Sequence, residues 1–293
     1  MKKWIWIALI TVYFVWGATY LAIRYVVESM PPFIAAGARF FLAGLLMYTF
    51  SRVSGTRGPT RNQWRSAFII GLLLMVGGNG SVSWAEQKVP SGVASLIIAT
   101  VPLWMVLIDI IRPSSQTPGI RSLVGIAIGF FGIFLLIGPA NLLGNSRGID
   151  AIGSAVLLVA SISWASGSIY NREADLPESP LLGTGMAMIC GGISLLLLGI
   201  TSGEWGRLEI SSITPQAWIG FLYLVIFGSL VAFVAYLWLL RVAPTSLVST
   251  YAYVNPLVAL ALGTLIADEP LTARITISAI IVLFAVVLIN CGD

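Results

Sequence analysis

Apolar residues along this chain run in long continuous stretches rather than in alternation. No Asp, Glu, Lys or Arg occurs from Ser122 to Ser146, from Ile210 to Leu240, or from Val242 to Ala267. A helix needs roughly 20 apolar residues to cross the hydrocarbon core of a bilayer, so each run is long enough to cross. Barrel strands would alternate in pieces of roughly 10 residues, so the pattern predicts helices. The expected spans are Trp4–Val26, Phe33–Arg52, Ser66–Trp84, Gly92–Ile111, Ile120–Gly138, Asp150–Tyr170, Leu181–Thr201, Pro215–Leu239, Ser246–Ile266 and Ala273–Cys291. The fold class expected is an all-α integral membrane protein of ten transmembrane helices. The first stretch reads as a retained helix, because it meets Arg24 without a small-residue cleavage site.

Composition agrees: 58% of the 293 residues are hydrophobic and 10% charged. Soluble domains carry about 25% charged residues, and so few could not cover a water-facing surface. The longest polar stretch, Ser51–Arg65, is too small for a domain, so residues 1–293 read as one membrane domain. With the N-terminus inside, ten Lys/Arg fall on the inner side: Lys2, Lys3, Arg52, Arg57, Arg61, Arg65, Arg112, Arg121, Arg172 and Arg241. Four fall outside: Lys88, Arg147, Arg207 and Arg274. That bias predicts both termini in the cytoplasm, in a bacterial inner membrane. The net charge of +4 is then retention signal, not a nucleic-acid footprint. Cys190 and Cys291 suit neither a disulfide nor a metal site.

The chain carries an internal echo. Trp84, Pro90, Pro102 and Leu103 each find a counterpart 154 residues on, at Trp238, Pro244, Pro256 and Leu257. Trp16-Gly17-Ala18-Thr19 echoes in Trp164-Ala165-Ser166-Gly167, offset by 148. The chain therefore divides into five helices (4–138) and five more (150–291). Five is odd, so the second half enters the membrane from the opposite side and the repeats are inverted. Many transporters use this arrangement, with the substrate site at the repeat interface.

Polar positions inside spans are the informative ones, because a polar group in lipid must find a partner or face a cavity. Tyr13, Trp16, Gly17, Tyr20 and Arg24 share one face of the first span. Asn79, Ser83 and Glu86 recur at helical spacing around the small run Gly77–Ser81. Ser161, Trp164, Ser168 and Asn171 stripe the sixth span, and Thr250, Tyr251, Tyr253, Asn255 and Pro256 crowd the ninth. One reading is a cavity of aromatic faces with a few amide and hydroxyl groups, taking substrate at Trp16, Tyr20, Asn79, Ser83, Trp164, Ser168, Tyr253 and Asn255. The other is helix packing, favoured for Gly77, Gly78, Gly80, Ser161 and Ser166. Pro102 and Pro256 each remove one helical hydrogen bond and form either hinges or static kinks. Arg39 either attracts a carboxylate, snorkels, or pairs with Glu28 or Glu86; the structural role is favoured. Arg24 and Glu28 are expected to pair. Asp268 and Glu269 read as caps of the tenth helix.

The chain has no histidine, which removes a Ser–His dyad and an HExxH zinc site, and it has no P-loop. No enzyme activity, cofactor or metal is expected. A proton relay would have to use Asp109 or Glu86.

The order Trp16-Gly17-Ala18-Thr19-Tyr20, Pro31-Pro32, Ala38-Arg39-Phe40-Phe41-Leu42-Ala43-Gly44, Pro102-Leu103, Pro256-Leu257 and Glu269-Pro270-Leu271-Thr272 resembles the ten-helix EamA-type exporters of the drug/metabolite transporter superfamily. Amino acid exporters are among them. The resemblance covers nearly the whole chain. It implies inverted halves around a central cavity and export of amino acids or related metabolites. One departure is Arg112-Pro113-Ser114-Ser115, which lacks the acidic residue that family members often place there. The first span has no central glutamate of the small multidrug type, and the ninth has no basic residue for phosphorylated substrates. The expected partners are a small-molecule substrate and the bilayer, not nucleic acid, and a monomer suffices. The leading expectation is export of aromatic or neutral amino acids by alternating access. The alternatives are a proton-coupled exporter of cationic drugs and a non-transporting membrane subunit.

Overall fold

A computed structural model describes residues 2–111, 119–138, 149–243, 245–248 and 250–290. The Arg112–Ser115 stretch, Arg147 and Cys291 lie outside the described residues. Ten apolar helices follow the predicted spans: α1 (Lys2–Val27), α2 (Pro32–Val53), α3 (Arg61–Ala85), α4 (Ser91–Ile111), α5 (Ile120–Ile137), α6 (Ala151–Glu173), α7 (Pro180–Thr201), α8 (Pro215–Leu239), α9 (Tyr251–Ile266) and α10 (Ala273–Ile289). Among the described residues, the first eight are each long and apolar enough to cross a membrane, and α9 and α10 are shorter.

Local chemistry sets the starts. Thr60 and Gln63 form a reciprocal capping box, Gln63 N donating to Thr60 Oγ1 at 3.2 Å and Thr60 N to Gln63 Oε1 at 3.0 Å. This draws the start of α3 back to Arg61, five residues before the predicted Ser66. Asp150, Ser179, Thr214 and Thr272 accept from the first turns of α6, α7, α8 and α10. Pro180 and Pro215 open α7 and α8, where no N–H is needed. α9 begins five residues later than predicted, because a turn at Thr250 separates it from a short helix at 245–248.

The short connections place one end of every helix with the N-terminus, here the terminal end, and the other at the distal end. The helices pair by an exchange of halves. α1 packs on α8 and α9; correspondingly, α6 packs on α3 and α4. The pairs α2–α7, α5–α10 and α4–α9 each join equivalent helices of the two halves. The fold is thus a ten-helix membrane bundle of two inverted repeats. The α2–α7 contact runs along a glycine seam. A Cβ at Gly44 would sit 2.7 Å from Ile189 N and 2.8 Å from Gly185 O; one at Gly37 would sit 3.0 Å from Gly192 O. Small residues let helix backbones touch where lipid offers no hydrophobic drive. Large apolar side chains such as Phe14, Leu46, Phe131, Ile219 and Ile280 point out of the bundle. That is stable only where the solvent is hydrocarbon.

Candidate functional site

Trp16 of α1 stands among Phe233 and Tyr236 of α8 and Tyr251 of α9, with ring centroids 5.2, 5.2 and 5.3 Å away. Its indole N–H donates to Gly228 O at 3.1 Å. Trp164 of α6 occupies the matching seat in the other half. A Cβ at Gly78 would lie 2.8 Å from Trp164 Cε3, so the ring rests on bare backbone. Gly78 and Gly228 both fall where helical hydrogen bonding slips to π register, Gly71–Gly80 in α3 and Leu224–Val231 in α8. Such stretches recur at functional sites because they widen a helix and free backbone groups. Each half therefore seats the tryptophan of its first helix on the third helix of the other.

Asn79 lies in the π stretch of α3, and its Nδ2 donates to Leu74 O at 3.2 Å, five residues back. With its amide oriented to suit its neighbours, Asn255 Nδ2 donates to Tyr13 O at 3.1 Å and Tyr251 O at 3.2 Å, tying α9 to α1. Tyr20 and Tyr253 are half-buried against one central cluster that includes Val93, Leu96, Leu157 and Ala160. Ser168 stands one turn from Trp164 on α6. Among the described residues, Ser168 Oγ, Ser83 Oγ and the Trp164 indole N–H make no hydrogen bond.

The structure thus joins Asn255 to the Tyr251 that packs on Trp16, and sets Tyr20 and Tyr253 against one cluster. Trp164 sits on Gly78, the sequence neighbour of Asn79, and Ser83 lies with Arg39 between α1, α2, α3 and α8. Phe233 and Tyr236 were missed. Nothing in the charge-free run of α8 distinguishes an aromatic facing the bundle from one facing lipid.

Helices α4 and α9 are each broken. Thr100 Oγ1 donates to Ile97 O at 2.6 Å, and Thr250 Oγ1 donates to Leu247 O at 2.5 Å. The breaks stand 150 residues apart, not the 154 that aligns the prolines. Pro102 follows its break by two residues, whereas Pro256 lies inside the continuous part of α9. The hydroxyl of the threonine takes up a carbonyl left free where the helix opens.

The charged groups settle differently from the sequence reading. Arg24 pairs with Glu28 at 3.4 Å, as expected, and also donates to Glu86 O at 2.7 Å. Glu269 does not cap α10, where Thr272 does that work. Its carboxylate accepts from Ser91 N at 2.7 Å and Gly92 N at 3.0 Å, capping α4 instead. Asp268 makes this possible by adopting φ +51°, a left-handed turn that aspartate tolerates. Glu204, 2% exposed, likewise accepts from Phe33 N and Ile34 N at the start of α2. Asp109 pairs with Arg172 of α6 at 3.9 Å.

Arg39 is 4% exposed, and no carboxylate among the described residues reaches it. Its Nε donates to Ser229 Oγ on α8 at 2.9 Å, and its guanidinium lies 4.6 Å from the centre of the Phe40 ring. Glu86, in the turn between α3 and α4, is fully buried with both carboxylate oxygens unpartnered. Burial and the nearby Glu269 push its pKa well above the usual carboxyl range, against a smaller downward pull from Arg24.

An inverted-repeat helical bundle with paired π stretches and broken helices at its centre has the architecture of a secondary transporter. The chain belongs to the EamA-like transporter family, whose model matches residues 2–138 and again 151–291. It is 39% identical over 290 residues to the uncharacterized inner membrane transporter YedA of Escherichia coli strain K12, covering 97% of this chain and 90% of that one. It is 26% identical over 278 residues to protein PecM of Dickeya dadantii, covering 94% and 89%. A solved crystal structure superposes with a TM-score of 0.65 at 16% identity, covering 99% of this chain and 98% of that one, a likeness of fold alone.

Proposed function

We propose that this protein exports aromatic or other neutral amino acids, or related metabolites, across a bacterial inner membrane by alternating access. Residues 4–138 and 150–291 are its two halves within one membrane domain, both termini lie in the cytoplasm, and a monomer is the working unit. The observation that carries this reading is the matched seating of Trp16 and Trp164 on the π stretches of α8 and α3. Two aromatic faces related by the exchange of halves sit where the two inverted repeats meet. An aromatic face attracts a flat side chain and an ammonium group alike. Pro102, beside the break in α4, and Pro256, inside the continuous part of α9, are the hinges of this reading. The name carried by YedA, an inner membrane transporter, supports the membrane assignment.

A second reading is proton-coupled export of organic cations. The unpartnered, buried Glu86 favours it, since a carboxyl held neutral can exchange a proton.

One experiment separates them. Labelled amino acids and labelled organic cations are offered separately to liposomes containing the purified protein, with and without a pH gradient. Counterflow of phenylalanine, tryptophan or leucine without a gradient supports the first reading. Gradient-dependent uptake confined to organic cations replaces it with the second.

A further inference from the structure

A narrow cleft of about 10 Å³ opens between α1, α2, α3 and α8. Its wall is apolar, with Val26, Pro32, Ala35, Phe221 and Leu224 among the lining residues, and it carries two polar side chains, Arg39 and Ser83. Arg39 sits seven residues past Pro32, so about 10 Å below the distal end of α2 by helical rise. Its guanidinium has five donors. One is engaged, by Ser229, and among the described residues Nη1 and Nη2 have no hydrogen-bond partner. The Ser83 hydroxyl is likewise free. A buried cation without a carboxylate is costly in hydrocarbon, and a planar fork of donors matches a carboxylate in shape.

We propose that Arg39 and Ser83 form the carboxylate-binding station of the transport path, meeting the carboxylate of an amino acid or related acid at the distal side. The proposal rests on the transport reading above and names the substrate group that reading leaves unassigned. In the conformation seen here the cleft holds no more than a water molecule. A carboxylate enters when α1 or α8 moves away, which alternating access requires. Ser229 then has a separate role: it fixes the guanidinium from behind, through Nε, leaving the two terminal amino groups for the ligand.

The test is equilibrium binding to the purified protein in nanodiscs, using three probes. These are L-phenylalanine, L-phenylalanine amide, whose carboxyl is neutralised, and phenylacetate, which lacks the amine. Wild type should prefer phenylalanine over its amide by roughly tenfold or more, the value of one charge-assisted hydrogen-bond pair. Arg39→Gln should bring that ratio close to one by weakening the acid. Ser229→Ala loosens the guanidinium but keeps its charge, and should lower the ratio less than Arg39→Gln does. If Arg39→Gln does not fold, Arg39→Lys and Ser83→Ala should each reduce the ratio part of the way. Phenylacetate binding that depends on Arg39, without phenylalanine binding, upholds the station and overturns the amino acid reading. A full acid-over-amide preference in Arg39→Gln or Arg39→Lys overturns the station and leaves transport standing. So does loss of the preference in Ser229→Ala alone. A wild type that binds none of the three probes overturns the station and the amino acid reading together.

Discussion

Glu269 holds Ser91. Its carboxylate accepts the Ser91 backbone N–H at 2.7 Å, so the connection between α9 and α10 pins the first turn of α4. The two residues belong to different halves. The bond ties the end of one repeat to the start of a helix in the other. Glu269→Ala should lower stability by about 1–2 kcal/mol, the usual cost of a lost helix cap with its charge. Thermal melting in detergent measures it. A melting curve unchanged from wild type would show that α4 needs no such cap.

The glycine seam between α2 and α7 has less tolerance. At Gly44 an added Cβ meets the main chain at Ile189 N and Gly185 O, and backbone cannot rotate aside as a side chain can. Gly44→Ala should therefore cost about 1–3 kcal/mol or more by overpacking. Gly58 is the control, because its Cβ would meet the tip of the Arg52 side chain no closer than 3.5 Å. Comparing the yield of monodisperse protein from the two variants decides the point.

Gly78 and Gly228 occupy matching seats but differ in what a methyl group meets. At Gly78 the neighbour is the rigid Trp164 ring at 2.8 Å. At Gly228 the neighbours are Thr19 Cγ2 at 3.1 Å and an Arg39 nitrogen at 3.2 Å, both at side-chain ends. Gly78→Ala should lower the melting temperature more than Gly228→Ala. It should also change the intrinsic tryptophan fluorescence, because Trp164 must tilt. Equal effects would mean the Trp164 seat is loose.

Glu86 makes stability depend on pH. Burial and Glu269 raise its pKa from the ordinary 4.5, so the folded protein favours the neutral carboxyl. The stabilisation is complete below the unfolded value and is lost as pH rises through the raised folded value. Wild type should therefore melt at progressively lower temperature as pH climbs above 4.5. Glu86→Gln, which keeps the shape without the proton, should flatten that slope. A slope that survives the substitution would place the titrating group elsewhere.

The fold was legible because the solvent is lipid. A bilayer demands continuous apolar runs and internal backbone bonding, so the long apolar stretches marked the helices, and Pro215–Leu239 falls where the pattern put it. Local chemistry adjusted the ends, as the Thr60–Gln63 capping box did for α3. The candidate site was legible by residue type but not by grouping. Trp16 and Trp164 stood out as an echo of one motif. That Trp164 rests on Gly78 and Trp16 bonds the carbonyl of Gly228, each in the opposite half, was not readable, because the seat depends on a π slip that leaves no mark in composition.

The membrane class, the count of spans, the inverted halves and the polar residues that must find partners are readable in residue order. Who those partners are depends on how the helices pack. Glu269 was read as a cap for the neighbouring α10 and caps α4. Arg39, for which the sequence offers a carboxylate ligand, snorkelling or pairing with Glu28 or Glu86, bonds Ser229, 190 residues away. The reason is physical. A carboxylate or guanidinium in a low-dielectric interior takes the free donor or acceptor within a few ångströms, and helix packing sets that distance, not position along the chain.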